Sequence, residues 1–71
     1  MNIFKSCREA VGLSRKDAAE KLNISVFHLR NIENNQRAPR QPLLLKMSEL
    51  YNCNSSDLLH ESVKILNSIY S

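Results

Sequence analysis

Between Ser14 and Asn34 the sequence SRKDAAEKLNISVFHLRNIEN contains two short helical patterns joined by a very short turn. The apolar residues fall on one face of each pattern, namely Ala18, Ala19 and Leu22, then Leu29 and Ile32. Small alanine side chains allow two helices to approach closely and cross at a steep angle. Asn23 suits the turn, because asparagine tolerates a left-handed backbone better than most residues. This arrangement leaves the outer face of the second helix unpaired.

The composition agrees with a single, wholly helical domain. The chain has 71 residues, 42% of them hydrophobic, with one glycine and no threonine. A chain of this size folds as one domain, and its many leucines favour helices over strands. We therefore expect an all-α domain over residues 1–71, with its core in 3–60 and a helical extension in 61–71.

Local signals divide the chain into five helices. We expect the first over residues 3–10, with Gly12 after its end. Ser14 and Ser25 are N-cap residues for the second and third helices. Pro42 fits the first turn of a fourth helix, where its missing N–H is not needed. Asn54, paired with Asp57, begins the fifth.

The last two helices carry more apolar residues than one inner face needs. In the fourth helix we expect an inner face made of Leu44, Leu45, Met47, Leu50 and Tyr51. The fifth has two candidate stripes, one of Leu59, Val63, Leu66 and Tyr70, the other of Leu58, Ile65 and Ile69. One stripe closes the core and the other stays exposed, but the pattern does not decide between them.

The two cysteines, Cys7 and Cys53, are far apart in sequence. Small disulfide-stabilised domains normally carry more cysteines, so we interpret these as two reduced thiols in the core, with a single disulfide as the alternative. Neither cysteine has the closely spaced second ligand that a zinc site needs. We expect no metal and no cofactor.

Positive charge is concentrated in the first two thirds of the chain. Residues 1–46 hold nine Lys or Arg against four Asp or Glu, whereas residues 47–71 hold one against three. Such an asymmetry favours an anionic partner on one side of the molecule, although solvated helical surfaces can look similar. No apolar run approaches the length of a membrane span, and no signal segment is present, so we expect a cytoplasmic protein.

The segments LSRKDAAEKLNISVFHLRNIENNQRAP and LLLKMSELYNCNSSDLL resemble the Cro/C1-type (XRE family) helix-turn-helix of phage repressors and bacterial regulators. The resemblance covers residues 3–60. It implies a five-helix, lambda-repressor-like DNA-binding domain whose second and third helices form the helix-turn-helix. Asn35 and Asn52 replace two family glycines, and both tolerate a positive φ. Phe27 replaces a residue that is usually polar, which leaves the DNA sequence preference open.

The resemblance implies that the third helix enters a DNA major groove. The residues expected to contact bases are Val26, Phe27, His28, Arg30 and Asn31. Arginine and asparagine can hydrogen-bond to guanine and adenine edges, and apolar side chains can pack on thymine methyl groups. Intramolecular packing or a protein contact is the alternative for Phe27, and solvation is the alternative for His28.

Phosphate contacts would hold such a domain in register. We expect them from the start of the second helix, from the third-helix cap and from the loop that follows the third helix. The residues are Ser14, Arg15, Ser25, Asn34, Arg37 and Arg40. A solvated surface role is the alternative for each, and Lys16 and Lys46 could serve either way.

Glu33 is an acid on a helix otherwise directed at a polyanion. In the family that the chain resembles, this glutamate pairs with a basic residue of the first helix, which corresponds to Arg8. The resemblance therefore implies an Arg8–Glu33 ion pair that holds the first helix against the third.

The surplus apolar stripe of the fifth helix predicts an interface. We expect Val63, Leu66, Ile69 and Tyr70 to contact a second copy, because family dimers read two half-sites about 34 Å apart. Packing of this tail on its own domain is the alternative.

These observations predict a sequence-specific, double-stranded DNA-binding transcriptional regulator, a repressor that binds a palindromic operator as a homodimer. The alternative is a protein-interaction module on the same fold. No catalytic constellation is present, so we do not expect an enzyme. Because the chain offers no room for a ligand-binding domain, regulation would come from abundance, competition or a regulatory protein partner.

Overall fold

The computed structural model of the chain describes residues 2–70, and its helices begin and end where local backbone chemistry requires. Five α-helices follow one another, and no strand occurs within these residues. They are α1 (Ile3–Ala10), α2 (Arg15–Leu22), α3 (Val26–Glu33), α4 (Gln41–Tyr51) and α5 (Ser55–Tyr70). The all-α prediction with five helices is confirmed.

Hydroxyl and amide caps set the starts of the helices other than α4, whose first turn contains Pro42 instead. The Ser14 hydroxyl accepts a hydrogen bond from the backbone N–H of Asp17 at 3.0 Å, and the Ser25 hydroxyl accepts one from His28 at 3.0 Å. Both satisfy a donor that an unfinished helix turn leaves unpaired. Asn54 caps α5, but its side chain accepts from Ser56 at 2.8 Å, so the predicted pairing with Asp57 is not formed.

Left-handed backbone ends the helices. Asn23, Asn35 and Asn52 have φ values of 59°, 63° and 55°, and Gly12 has 74°. Asparagine adopts this region more readily than other residues with a Cβ. At these three positions asparagine therefore takes the place of glycine, which is the residue most often found in left-handed backbone at helix ends.

One core is shared by all five helices. Its buried apolar residues are Phe4, Ala18, Ala19, Leu22, Leu29, Ile32, Leu44, Met47, Tyr51, Leu58 and Ile65. The predicted inner faces of α2 and α3 are correct. In α4, Leu44, Met47 and Tyr51 are buried and Leu50 is partly buried against the core, as predicted. Leu45, in contrast, is 45% exposed.

The inner face of α5 consists of Leu58, Ser62 and Ile65. Buried residues of α5 therefore also lie past residue 60. The other stripe, with Leu59, Val63, Leu66 and Tyr70, is 42% to 82% exposed. Ile69 continues the inner register but is also 42% exposed. No helix within residues 2–70 is both long and apolar enough to cross a membrane.

Cys7 of α1 and Cys53 of the turn between α4 and α5 form a disulfide. The interpretation of both as reduced thiols is therefore wrong, and the alternative that the sequence left open is correct. The bond forms because α1 packs against α4 and α5, which brings the two Cα atoms to 6.6 Å although the residues are 46 apart in sequence. That distance lies within the range for disulfides.

Candidate nucleic-acid interface

The face of α3 that points away from the core carries the residues expected to read DNA. Leu29 and Ile32 are fully buried against α1 and α2, which fixes the rotation of the helix. On the opposite side Val26, Phe27 and Arg30 are exposed, while His28 and Asn31 are half-buried. None of the five predicted base-contact residues is buried by the described chain.

Phe27 is the most exposed of the apolar residues on this surface. Its side chain is 67% accessible, so the alternative of packing within its own domain does not hold. A large apolar side chain in water at the start of α3 is available to a base methyl group or to a protein.

His28 lies beside positive charge. Burial and the nearby Arg37 lower the pKa of His28 below its ordinary value of 6.5. The imidazole is therefore neutral at pH 7, and one ring nitrogen donates a hydrogen bond while the other accepts. His28, Arg37, Arg40 and Lys46 all line one groove of about 650 Å³, and no acidic residue lines it.

The loop that follows α3 holds its arginines outward. Pro39 is buried, and its carbonyl oxygen accepts a hydrogen bond from the Ser62 hydroxyl of α5 at 3.4 Å. Arg37 and Arg40, on either side of this anchored segment, are exposed. Two cations are thereby presented on a loop whose middle is fixed to the core.

Asn2 ties the other end of that loop to the N-terminus. Its side-chain amide donates to the Ile32 carbonyl oxygen at 2.7 Å and to the Asn35 side-chain oxygen at 2.8 Å. Asn2 also caps α1, since its own oxygen accepts from Lys5 N–H at 3.3 Å. Sequence reasoning missed this contact, because no local pattern links the first residues to the end of α3.

The serine caps keep a donor for phosphate. Ser14 and Ser25 use their hydroxyl oxygens to accept bonds from their own helices, which leaves each O–H hydrogen directed elsewhere. Both residues are exposed, as is Asn34 at the end of α3. An anion placed at either helix start would also meet the free N–H groups of the first turn.

The Glu33 carboxylate lies beneath this surface and pairs with two arginines. Arg8 donates from Nε to Glu33 Oε2 at 2.7 Å and from Nη2 to Oε1 at 3.0 Å, which is the ion pair that the resemblance implied. Arg15 donates from Nε to Glu33 Oε1 at 3.3 Å, a contact that the sequence did not predict. The Glu33 side chain is fully buried. Two guanidinium groups thus compensate one desolvated carboxylate.

The ion pair also shifts the titration of its neighbours. The hydrogen bonds that Arg8 donates to Glu33 raise the pKa of Arg8 above its ordinary value despite burial. Burial and the charge of Glu33 raise the pKa of Tyr51 to about 12. The Tyr51 hydroxyl has no hydrogen-bond partner within residues 2–70. The tyrosine therefore stays neutral beneath the charged cluster.

The residues predicted to contact a second copy lie on a different surface. Val63 is 47% exposed, Leu66 and Ile69 are each 42% exposed, and Tyr70 is 82% exposed. Leu66, Ile69 and Tyr70 also border the groove that contains His28 and Arg37. The open side of α5 therefore adjoins the cationic surface.

No group of three His, Cys, Asp or Glu side chains in the described part of the chain could hold a metal ion. The cysteines lie in another groove, of about 570 Å³ between α1 and α5, which Asp57, His60 and Lys64 also line. The outer face of α3 is not covered by the described chain. It is bordered by exposed arginines and by the serine-capped starts of α2 and α3. Such a face can lie in a groove of duplex DNA.

Comparison with known proteins agrees with this geometry. The family described as helix-turn-helix matches residues 4–58. The HTH-type transcriptional regulator ImmR of Bacillus subtilis (strain 168) is 46% identical over 56 residues, which are 79% of this chain and 44% of that protein. The chain thus spans less than half of the length of this relative. No solved structure matches the sequence significantly.

The matched residues include both helices of the helix-turn-helix, the arginine loop and the start of α5. The chain therefore belongs to the helix-turn-helix family of DNA-binding transcription regulators of the Cro/C1 (XRE) type.

Proposed function

We propose that this protein is a transcriptional repressor that binds a palindromic operator as a homodimer. It acts in the cytoplasm by occupying promoter DNA, and it is released through abundance, competition or a regulatory protein partner. The observation that carries the proposal is the open face of α3, bare of its own chain and bordered by exposed arginines.

Each part of this surface has a distinct role in the proposal. Arg30 donates hydrogen bonds to base edges, and Asn31 both donates and accepts them there. His28 contributes a neutral donor and acceptor, and Val26 and Phe27 contact thymine methyl groups. The phosphate contacts come from the exposed or partly exposed polar residues around α3, namely Ser14, Arg15, Ser25, Asn34, Arg37 and Arg40. Phosphate contacts set register, and base contacts set sequence preference.

Dimerisation is supported by the open stripe of α5. Leu59, Val63, Leu66 and Tyr70 are spaced by four, three and four residues, which is the spacing of a coiled-coil seam. A symmetric pair of such helices would relate two copies of α3 by a two-fold axis, so the operator would be palindromic. Linking two weak half-site contacts would raise the affinity through effective concentration.

The similarity to ImmR supports the part of the proposal that concerns transcriptional regulation. ImmR is an HTH-type transcriptional regulator, and it is similar to this chain over 56 residues. We propose repression rather than activation, because a protein that covers promoter DNA with the open face of α3 would exclude other proteins from that DNA.

Selection of duplexes from a random pool tests the proposal. We expect a palindromic consensus, and we expect Arg30→Ala to relax preference at one base pair per half-site at a cost of about 1–3 kcal/mol. Arg37→Ala should weaken binding to all sequences and reduce the slope of log affinity against log salt by about 0.9 per half-site.

Lys64→Ala is the matched control, because Lys64 is an exposed cation in the α1–α5 groove. It should leave affinity and salt slope unchanged. The proposal fails if the protein ignores every duplex in dilute salt. Binding of another protein through Phe27 with no affinity for DNA would instead support the interaction-module alternative.

A further inference from the structure

Glu33 joins a structural ion pair to the candidate DNA surface. Its Oε1 atom accepts hydrogen bonds from both Arg8 Nη2 at 3.0 Å and Arg15 Nε at 3.3 Å. Arg8 belongs to α1, Arg15 is the first residue of α2, and Glu33 is the last residue of α3. One buried carboxylate therefore connects three helices.

Arg8 and Arg15 differ in how many of their N–H donors remain available to a ligand. The Arg8 side chain is 7% exposed, and its Nη1 atom donates to the Leu13 carbonyl oxygen at 2.8 Å, so its donors are used within the domain. The Arg15 side chain is 31% exposed, and its bond to Glu33 uses Nε. The terminal Nη1 and Nη2 groups carry the other four N–H donors of a guanidinium.

The charges of the cluster favour an anion at Arg15. Two guanidinium charges against one carboxylate leave an excess of one positive charge, and the carboxylate is fully buried. The exposed part of Arg15 is therefore where the excess charge meets solvent. Arg15 also follows Ser14, whose hydroxyl caps the helix start.

A free arginine side chain loses rotamer freedom when it grips a phosphate, and that loss weakens binding. A side chain already held through Nε has fewer rotamers to lose. We infer that Glu33 is a positioning residue for DNA binding, which holds Arg15 so that its terminal N–H groups meet a backbone phosphate. This inference rests on the proposed DNA-binding function.

A double-mutant cycle measures the coupling. Glu33→Gln and Arg15→Ala are made singly and together, and affinity is measured on the selected operator, or on mixed-sequence duplex at low salt. Glu33→Gln also disturbs Arg8, so some loss of affinity should occur in both backgrounds. The inference predicts that the loss is about three- to tenfold greater when Arg15 is present, which is the cost of ordering one long side chain. Equal losses in the two backgrounds overturn it.

Arg15→Lys supplies a test that leaves the Arg8–Glu33 pair intact, in case Glu33→Gln does not fold. Lysine keeps the charge but has a single donor group, which cannot hold Glu33 and a phosphate in the arginine geometry. We expect this variant to lose most of the affinity that Arg15→Ala loses. Full retention of affinity would show that only charge matters and would overturn the inference.

NMR of the free protein gives a readout that does not depend on DNA. The Arg15 Nε–H proton should exchange slowly with water in the wild type and rapidly in Glu33→Gln. Fast exchange in the wild type overturns the inference. If the wild type binds no duplex, the proposed function itself has failed, whereas a protein that binds DNA without coupling refutes only the role of Glu33.

Discussion

Single asparagines determine where several helices of this protein stop. Asn23, Asn35 and Asn52 adopt left-handed backbone in a chain with one glycine. An asparagine at such a site restricts the unfolded chain more than glycine does, which lowers the entropy lost on folding. Asn35 does more, since its side chain also accepts a hydrogen bond from Asn2. Asn35 thus both follows the end of α3 and connects it to the N-terminal segment.

His28 gives the protein a pH response at the residue scale. Its pKa is lowered in the folded state, so the unfolded chain binds the proton first as the pH falls. Its contribution to the free energy of unfolding is complete above about pH 6.5 and is lost as the pH falls from there to the lowered pKa. A DNA phosphate beside the ring would favour the protonated imidazolium. DNA affinity should therefore rise as the pH falls over the same range.

Urea unfolding and DNA titration across this pH range check both directions. His28→Gln keeps a neutral polar side chain of similar reach, and both pH dependences should shrink in this variant. An unchanged dependence in the variant would assign the effect to other groups.

At the scale of elements, α5 connects the core, the arginine loop and the open apolar stripe. Its buried Ser62 contacts the Pro39 carbonyl oxygen, and the next residue, Val63, is exposed on the stripe. We expect Val63→Glu to yield a monomer with unchanged fold, because a carboxylate would be desolvated in a helix pair but not on an open surface.

Sedimentation and operator titration check this prediction. Affinity for the full palindrome should fall by about a hundredfold or more, while affinity for a half-site should not change. Val11→Glu introduces the same charge at another exposed valine, at the end of α1 and outside the stripe, and serves as the control. A monomeric wild type, or a dimeric Val63→Glu, would contradict the dimer assignment.

Much of this element structure follows from local sequence. Ser14, Ser25 and Asn23 mark the helix-turn-helix by themselves, because capping and left-handed turns depend on the residue at the site. The inward face of α5 could not be predicted, since two apolar stripes compete and the buried one includes Ser62, a polar residue whose partner is distant in sequence. Leu45 was misplaced for a similar reason, as α4 has leucines on both faces.

The candidate site, too, could be predicted only in part. The outward residues of α3 follow from the buried positions of Leu29 and Ile32. The contact between Arg15 and Glu33 does not, because it depends on how α2 and α3 meet in space. Asn2 and the cysteine pair likewise join segments that no local pattern relates.

At the scale of the whole molecule, the disulfide contributes to stability. The disulfide joins two cysteines that are 46 residues apart in sequence. Closing a loop of this length reduces the entropy of the unfolded chain, which stabilises the folded state by about 3–4 kcal/mol. Urea unfolding with and without a thiol reductant should show a loss of this size in the wild type. The double variant Cys7→Ser with Cys53→Ser should be insensitive to reductant. Equal midpoints for the wild type in both conditions would contradict the prediction.

The cross-link also divides the molecule topologically. Residues 7–53 form a covalent ring that contains the second half of α1, both helices of the helix-turn-helix and α4, whereas α5 lies outside the ring. In an oxidised chain whose α5 has unfolded, α3 would still lie within this covalent ring. Refolding would then start from a chain in which α3 is already part of the covalent ring, and α5 would fold back onto that ring.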